Sequence, residues 1–252
     1  MSEGYGFQNI LPDPLERIEI SGIWNVGVNT SATKGQPFAS YSLSLKQPKE
    51  QDRTITGKLI NRIKEYSAWS IKINYNPMTK AQFDPIYRFL MQRRGSLKPF
   101  FVNLPNYAGP KNQAFSDSMN GGGTIGITGL PYRAGVTYLD ITENIWNVDY
   151  TAGLPEPGDI FNVLDLYDTL HKKAYMVTKV ETNDTYIIGA QPAAKEVRVH
   201  FTPGLQRAIR TWGDLRFFYP TFKVVQVQDT TEYSLDTEDL YSFSLRLEEA
   251  FY

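Results

Sequence analysis

The chain has 252 residues, with 26 Lys and Arg against 27 Asp and Glu and a formal net charge of −1, so it offers no global basic field for holding nucleic acid. It has no cysteine and only two histidines, His171 and His200, which removes disulfide staples, thiolate nucleophiles and zinc knuckles. The 16 Tyr, 14 Phe, 19 Gly and 15 Pro suit short strands joined by tight turns, in a chain long enough for one large domain or two small ones.

Residues 1–17 contain no basic stretch followed by an apolar segment, so no secretory signal is expected. No apolar run approaches the roughly 18 residues that cross a bilayer, so no membrane insertion is expected either. Strands are predicted over residues 15–20 and, after the Gly35-Gln36-Pro37 break, over 41–45. Strict alternation then puts Trp69, Ile71, Ile73 and Tyr75 on one face of a strand whose other side is polar. Thr79 is placed to cap a helix in which Phe83, Ile86, Tyr87 and Leu90 form one apolar stripe. Pro85 is tolerable there only near the first turn. Arg93 and Arg94 suit the last turn and Gly95 the C-terminal stop. Residues 99–105 return to strand.

Residues 106–123, rich in Gly, Asn and Ser and without periodicity, read as a long loop or linker. Short strands follow over 124–128, 138–141, 159–163, 173–180 and 186–189, with a hairpin turn at Asn183-Asp184, and His200 sits in a further strand-like run. Strands over 222–228 and 241–248 close the chain. Residues 111–203 carry more acids than bases while the flanks are net basic. The chain therefore divides into a host β-domain, 1–110 and 204–252, and an inserted small β-domain, 111–203.

Chemistry is sparse. Gly121-Gly122-Gly123-Thr124-Ile125-Gly126 has the spacing of a dinucleotide loop, but Gly129 and Pro131 prevent the helix that such a loop must open. The carboxylates Asp140, Glu143, Asp149, Glu156, Asp159, Asp165 and Asp168 could hold a glycosidase pair only if two faced each other across a bond, and their usual place is at strand ends and turns. His171, followed by two lysines, is expected at the surface, and neither histidine has a second imidazole at ligand spacing. No enzymatic activity, cofactor or metal is expected. The candidate interface residues are Arg88, Arg93, Arg94 and Lys98 near the helix, Arg207 and Arg210 with Arg216 and Lys223 further on, and the terminal Phe251 and Tyr252. The last two are expected in the core or at a subunit contact. Tyr132, Trp146, Tyr150 and Tyr167, if exposed, would suit a carbohydrate-binding β module.

Several stretches, taken in order, resemble one family. They are Trp69-Ser70-Ile71-Lys72-Ile73 ahead of the helix, Arg94-Gly95, and Lys98-Pro99-Phe100-Phe101-Val102-Asn103-Leu104-Pro105. Later come Leu154-Pro155-Glu156-Pro157-Gly158-Asp159-Ile160-Phe161, Lys173-Ala174-Tyr175-Met176-Val177-Thr178, the strand from Pro220 to Val227, and Tyr241-Ser242-Phe243-Ser244-Leu245 before Glu248-Glu249. The chain over 66–105 and 124–252 is similar to distal tail and minor tail proteins of tailed bacteriophages. The resemblance implies a tail-tube-like β-sandwich flanked by one α-helix, carrying an inserted OB- or SH3-like small β-barrel. It also implies a virion location after assembly in the host cytoplasm, and a hexameric ring between the tail tube protein and the baseplate or tip hub. On that reading the insert faces tail-fibre or receptor-binding proteins. The Gly-rich linker would equally suit a hub or tube adaptor.

Overall fold

The computed structural model describes residues 9–12, 18–21, 25–28, 38–63, 66–119, 124–142, 153–165, 167–183, 185, 196–210, 212–227, 233–236 and 239–251. The chain separates into two compact units, Met1–Val102 with Lys223–Tyr252, and Asn103–Phe222. In chain order the first unit holds β1 (Ile18–Ser21), β2 (Asn25–Val28), β3 (Phe38–Lys46), β4 (Lys49–Arg53), β5 (Leu59–Ile63), β6 (Ala68–Tyr75), α1 (Lys80–Arg93) and β7 (Phe100–Asn103). The second holds α2 (Gln113–Ser118), β8 (Thr124–Thr128), β9 (Tyr138–Thr142), β10 (Ile160–Asp165), β11 (Ala174–Thr182), β12 (Glu196–Thr202) and β13 (Gly213–Arg216). The chain returns to the first unit through β14 (Thr221–Gln226), β15 (Tyr233–Leu235) and β16 (Tyr241–Glu249). The fold is mainly β, with a small closed barrel inserted in a host sheet.

The host sheet runs β3-β6-β16-β14-β7, with β15 added to β16, while β1-β2 and β4-β5 form separate two-stranded ribbons. Alternation divides the sheet as the sequence predicts. Ile71, Ile73, Leu245, Leu247 and Phe222 are buried on one face, and each such side chain contributes about 1.5–3 kcal/mol through its removal from water. That face carries α1: Phe83 stacks on Tyr241 at 4.7 Å and meets Phe243 edge-on, and Phe89 meets Phe100 edge-on at 5.4 Å. The register lines up polar rows on the other face, Ser40–Asn74–Ser244, Ser42–Lys72–Arg246 and Ser44–Ser70–Glu248. Asn74 donates to Ser40 Oγ at 2.8 Å, and Lys46 pairs with Glu248 at 2.8 Å.

Helix α1 starts as expected, since Gln82 Oε1 accepts the Thr79 backbone N–H at 3.1 Å. It ends at Arg94, which adopts the left-handed conformation. Pro85 lies in the second turn and not the first; both it and Ala81 are exposed, so the Ala81 carbonyl that loses its helical donor faces water.

The barrel closes as β10-β11-β12-β9-β8-β13, with every pairing antiparallel. Its core is aromatic: Phe161, Tyr175, Phe201 and Phe217 pack ring on ring. Two expectations change here. The second unit is wider at both ends than 111–203, because β13, assigned to the host, closes the barrel between β10 and β8. The stretch 106–123 is not loop throughout, since it contains α2. Six residues are too few for an apolar stripe; Asn112 Oδ1 accepts the N–H groups of Ala114 and Phe115, and the fully buried Phe115 anchors the turn. The strand expected at 186–189 lies outside the described residues.

Candidate functional site

An all-antiparallel barrel of six strands gathers its loops at two ends. The ends of β8, β10 and β12 and the starts of β9, β11 and β13 share one end, so residues 129–137, 167–173, 203–210 and 212 converge there, while β8 begins and β13 ends at the other. Backbone bonds stitch the first and third loops together: Tyr132 and Ile209 exchange N–H···O bonds of 2.8 and 2.9 Å, Gly135 N–H donates to Leu205 O at 2.7 Å, and Leu205 N–H to Val136 O at 2.8 Å. Side chains tie in the second. Arg207 pairs with Asp168, and the buried Tyr175 hydroxyl lies 2.7 Å from His171 Nε2 and accepts the Gln206 N–H at 2.9 Å. Asp165 Oδ1 accepts the N–H groups of Tyr167 and Asp168, and Asp168 Oδ1 accepts that of Leu170. The three loops form one hydrogen-bonded cap.

Burial sorts the predicted residues. His171 is not at the surface as expected but inside the cap, 1% exposed, where burial pushes its imidazole down to about 4. A run of His-Lys-Lys hides this, because its partner Tyr175 becomes visible only when β11 turns inward. Burial acts to raise the Asp168 carboxyl, yet the Arg207 bond holds it below the usual carboxylate range. Tyr132 is also buried, which excludes it as a stacking platform. Its hydroxyl accepts the Asp140 N–H at 3.1 Å, and burial pushes the phenol up to about 12.

Gly129 makes room for that hydroxyl: it adopts φ +68, and a Cβ there would lie 2.8 Å from Tyr132 Oη. Gly129→Ala is expected to destabilise the barrel by about 1–2 kcal/mol through the left-handed conformation alone. Thermal unfolding checks this, and an unchanged transition would mean that the loop relaxes freely.

Below the cap the outer wall carries two polar rows across β11, β12 and β9, Lys179–His200–Tyr138 and Glu181–Arg198–Asp140. Arg198 grips Asp140 through Nε at 2.7 Å and Nη2 at 2.9 Å, and its guanidinium lies 4.6 Å from the Tyr138 ring centroid. Hydrogen bonds from Lys179 and His200 hold Glu181 down to about 2. Asp159 caps the backbone N–H groups of Lys111 and Glu156. Asp140, Asp159, Asp165 and Asp168 are thus committed to structural partners, and Glu143 and Asp149 lie outside the described residues.

What the cap displays is different. Tyr167 is 73% exposed, Leu170 64% and Trp212 54%, and the same three loops carry the exposed Arg133 and Arg210, which make no ion pair among the described residues. Trp212 adjoins Gly213, which faces Asp165 in the β10–β13 ladder, so Trp212 and Tyr167 stand on neighbouring chain segments. Neither Trp212 nor Arg133 stands out in sequence; the spacing Arg207-x-x-Arg210-x-Trp212 is the only local signal. Trp146 and Tyr150 lie outside the described residues.

The remaining interface candidates are distributed over both units. Arg88 is exposed and pairs with Asp84 at 3.5 Å. Arg93 is half-buried, donating to Asn9 at 2.9 Å and covering the Phe89 ring, and Arg94 and Lys98 are exposed at the helix stop. Arg216 is half-buried and donates to Phe218 O at 3.1 Å, and Lys223 is half-buried as well. Phe251 is not in the core: it lies beyond β16, exposed, edge-on to the exposed Tyr66 at 6.4 Å. Tyr252 lies outside the described residues.

The chain matches no protein-family model and no curated protein.

Proposed function

We propose that this chain is a non-enzymatic structural protein of a phage tail, forming a hexameric ring between the tail tube and the baseplate or tip. The observation that carries this reading is the β4–β5 ribbon. A two-stranded ribbon has no core of its own and is marginal in water, yet this one holds every residue of β4 in solvent and presents exposed Ile55, Leu59 and Ile60. It leaves β3 after Gln47-Pro48, and β3 itself is a nine-residue edge strand paired, among the described residues, with β6 alone. Tyr41, Leu43 and Leu45 of β3 point to the apolar side of the sheet but stay half-exposed. Among the described residues, the open edge, the half-covered apolar row and the exposed ribbon are what neighbouring copies in a closed ring would cover. The host sheet would form the annulus, with tube and hub proteins on its faces.

Light scattering and negative-stain microscopy of the full chain, alone and with tail tube protein, test the reading. Rings are expected, and the double variant Ile55→Asp, Ile60→Asp should stay monomeric while keeping its thermal transition. A wild-type chain that stays monomeric in both conditions overturns the proposal.

A further inference from the structure

We propose that the loop-built cap of the barrel binds an acidic saccharide, a pyranose chain bearing carboxylate or phosphate groups, with Tyr167 and Trp212 as stacking platforms and Arg133, Arg207 and Arg210 as donors. The inference does not rest on the ring reading. Three observations carry it.

The first is that the rings stand exposed on hydrogen-bonded loops. Asp165, Asp168, Arg207 and the Tyr132–Ile209 bonds fix the backbone on either side of Tyr167, Leu170 and Arg210, and Trp212 is anchored next to a strand position paired with Asp165. A floppy loop would fold such rings onto the barrel, where each would gain burial energy. The hydrogen-bonded loops hold the backbone that carries the rings, so little chain freedom is lost when a ligand arrives. Flat aromatic faces suit the apolar faces of pyranose rings.

The second is the donor set. Arg207 engages Asp168 through Nε and remains exposed, and Arg210 and Arg133 are exposed without an ion pair among the described residues. Guanidinium groups bind carboxylate and phosphate in a fork that hydroxyls alone do not require.

The third is the distribution of charge. The cap presents Arg133, Lys172, Arg207 and Arg210 against Asp165 and Asp168, with Lys173 buried beneath, whereas the rest of Asn103–Phe222 has twice as many acids as bases. Bases interleaved with aromatics also suit single-stranded nucleic acid, but that ligand needs a basic track leading away from the rings. Here the described bases outside the cap, Lys111, Lys179, Arg198 and Arg216, each already hold a hydrogen-bond partner within the unit, so no free basic track leads away from the rings, which favours a short acidic oligosaccharide over a strand.

The full chain is applied to a printed array of acidic and neutral oligosaccharides, then titrated by saturation-transfer NMR with hexagalacturonate, its methyl-esterified form and a dodecathymidylate. The expected result is retention on acidic spots, preference for the free acid over the ester, and weakening with salt. Tyr167→Ala and Trp212→Ala should each weaken binding about tenfold or more, and Arg210→Gln should reduce the preference for the free acid. All three side chains are exposed, and an unchanged thermal transition verifies that the variants fold. No retention on any acidic spot, tighter binding of the oligonucleotide than of any saccharide, or saccharide binding indifferent to all three variants would each overturn the proposal.

Discussion

Replacing Arg198 by methionine is expected to destabilise the barrel by about 3–5 kcal/mol, the cost of leaving a covered carboxylate without its partner. The side chain spans the middle of the β9–β12 seam, gripping Asp140 with two hydrogen bonds and lying over the Tyr138 ring. Its row also contains Glu181, so without the guanidinium two carboxylates flank a vacated position. The Glu181 charge keeps Lys179 and His200; the Asp140 charge keeps nothing comparable among the described residues. Methionine preserves bulk, which separates the electrostatic loss from a cavity. The double variant Asp140→Leu, Arg198→Met should recover most of the loss, because removing both charges removes the penalty. Urea unfolding followed by near-ultraviolet circular dichroism measures both. A loss in the single variant below about 1 kcal/mol, the range of exposed pairs, would mean that water reaches the pair freely.

The barrel should also weaken as pH falls from about 6.5 to about 4, through His171. Burial holds its folded-state pKa near 4, below the ordinary 6.5, so between those values the unfolded chain binds the proton and the folded chain does not. Stability is therefore complete above pH 6.5 and declines on acidification. The decline reaches about 3 kcal/mol by pH 4, with a limiting slope of about 1.4 kcal/mol per pH unit. Asp168 and Asp165 oppose the shift, while Arg207 and Lys172 add to it. The lowered carboxyls Asp168 and Glu181 act in the same direction but at lower pH, below their ordinary values near 4. His171→Gln, which can still meet the Tyr175 hydroxyl, should flatten the profile between pH 6.5 and 4. His200 is common to both proteins and drops out of the comparison. Parallel profiles for wild type and variant would show that the imidazole is hydrated.

What was legible in the chain depended on whether one face of an element is buried and the other wet. β6, β16 and α1 meet that condition, and their apolar positions appear at periods of 2.0 and 3.6. The β4–β5 ribbon does not: Lys-Glu-Gln-Asp-Arg has no buried side in this chain, so no alternation marks it as strand. Strand β13, Gly-Asp-Leu-Arg, is too short and carries a glycine whose Cβ would meet Ile209 and Ile127; its role appears only when the barrel closes. The cap was least legible, because loops distant in sequence meet through topology. Asp140 and Arg198 are likewise 58 positions apart and become neighbours only through the β9–β12 register.

The barrel's own ends bear on how such a chain can be assembled from parts. β8 and β13 are hydrogen-bonded neighbours, so the barrel begins and finishes on adjacent strands. The host's interruption is equally local, since β7 and β14 are adjacent in its sheet and Asn103 reaches the Tyr219 carbonyl at 3.3 Å. Each piece could be joined across its cut by a turn-length connection without breaking its internal ladders. The seam is therefore a socket: a β-module with neighbouring ends can be exchanged there by recombination, changing what the molecule touches while the host sheet keeps its register.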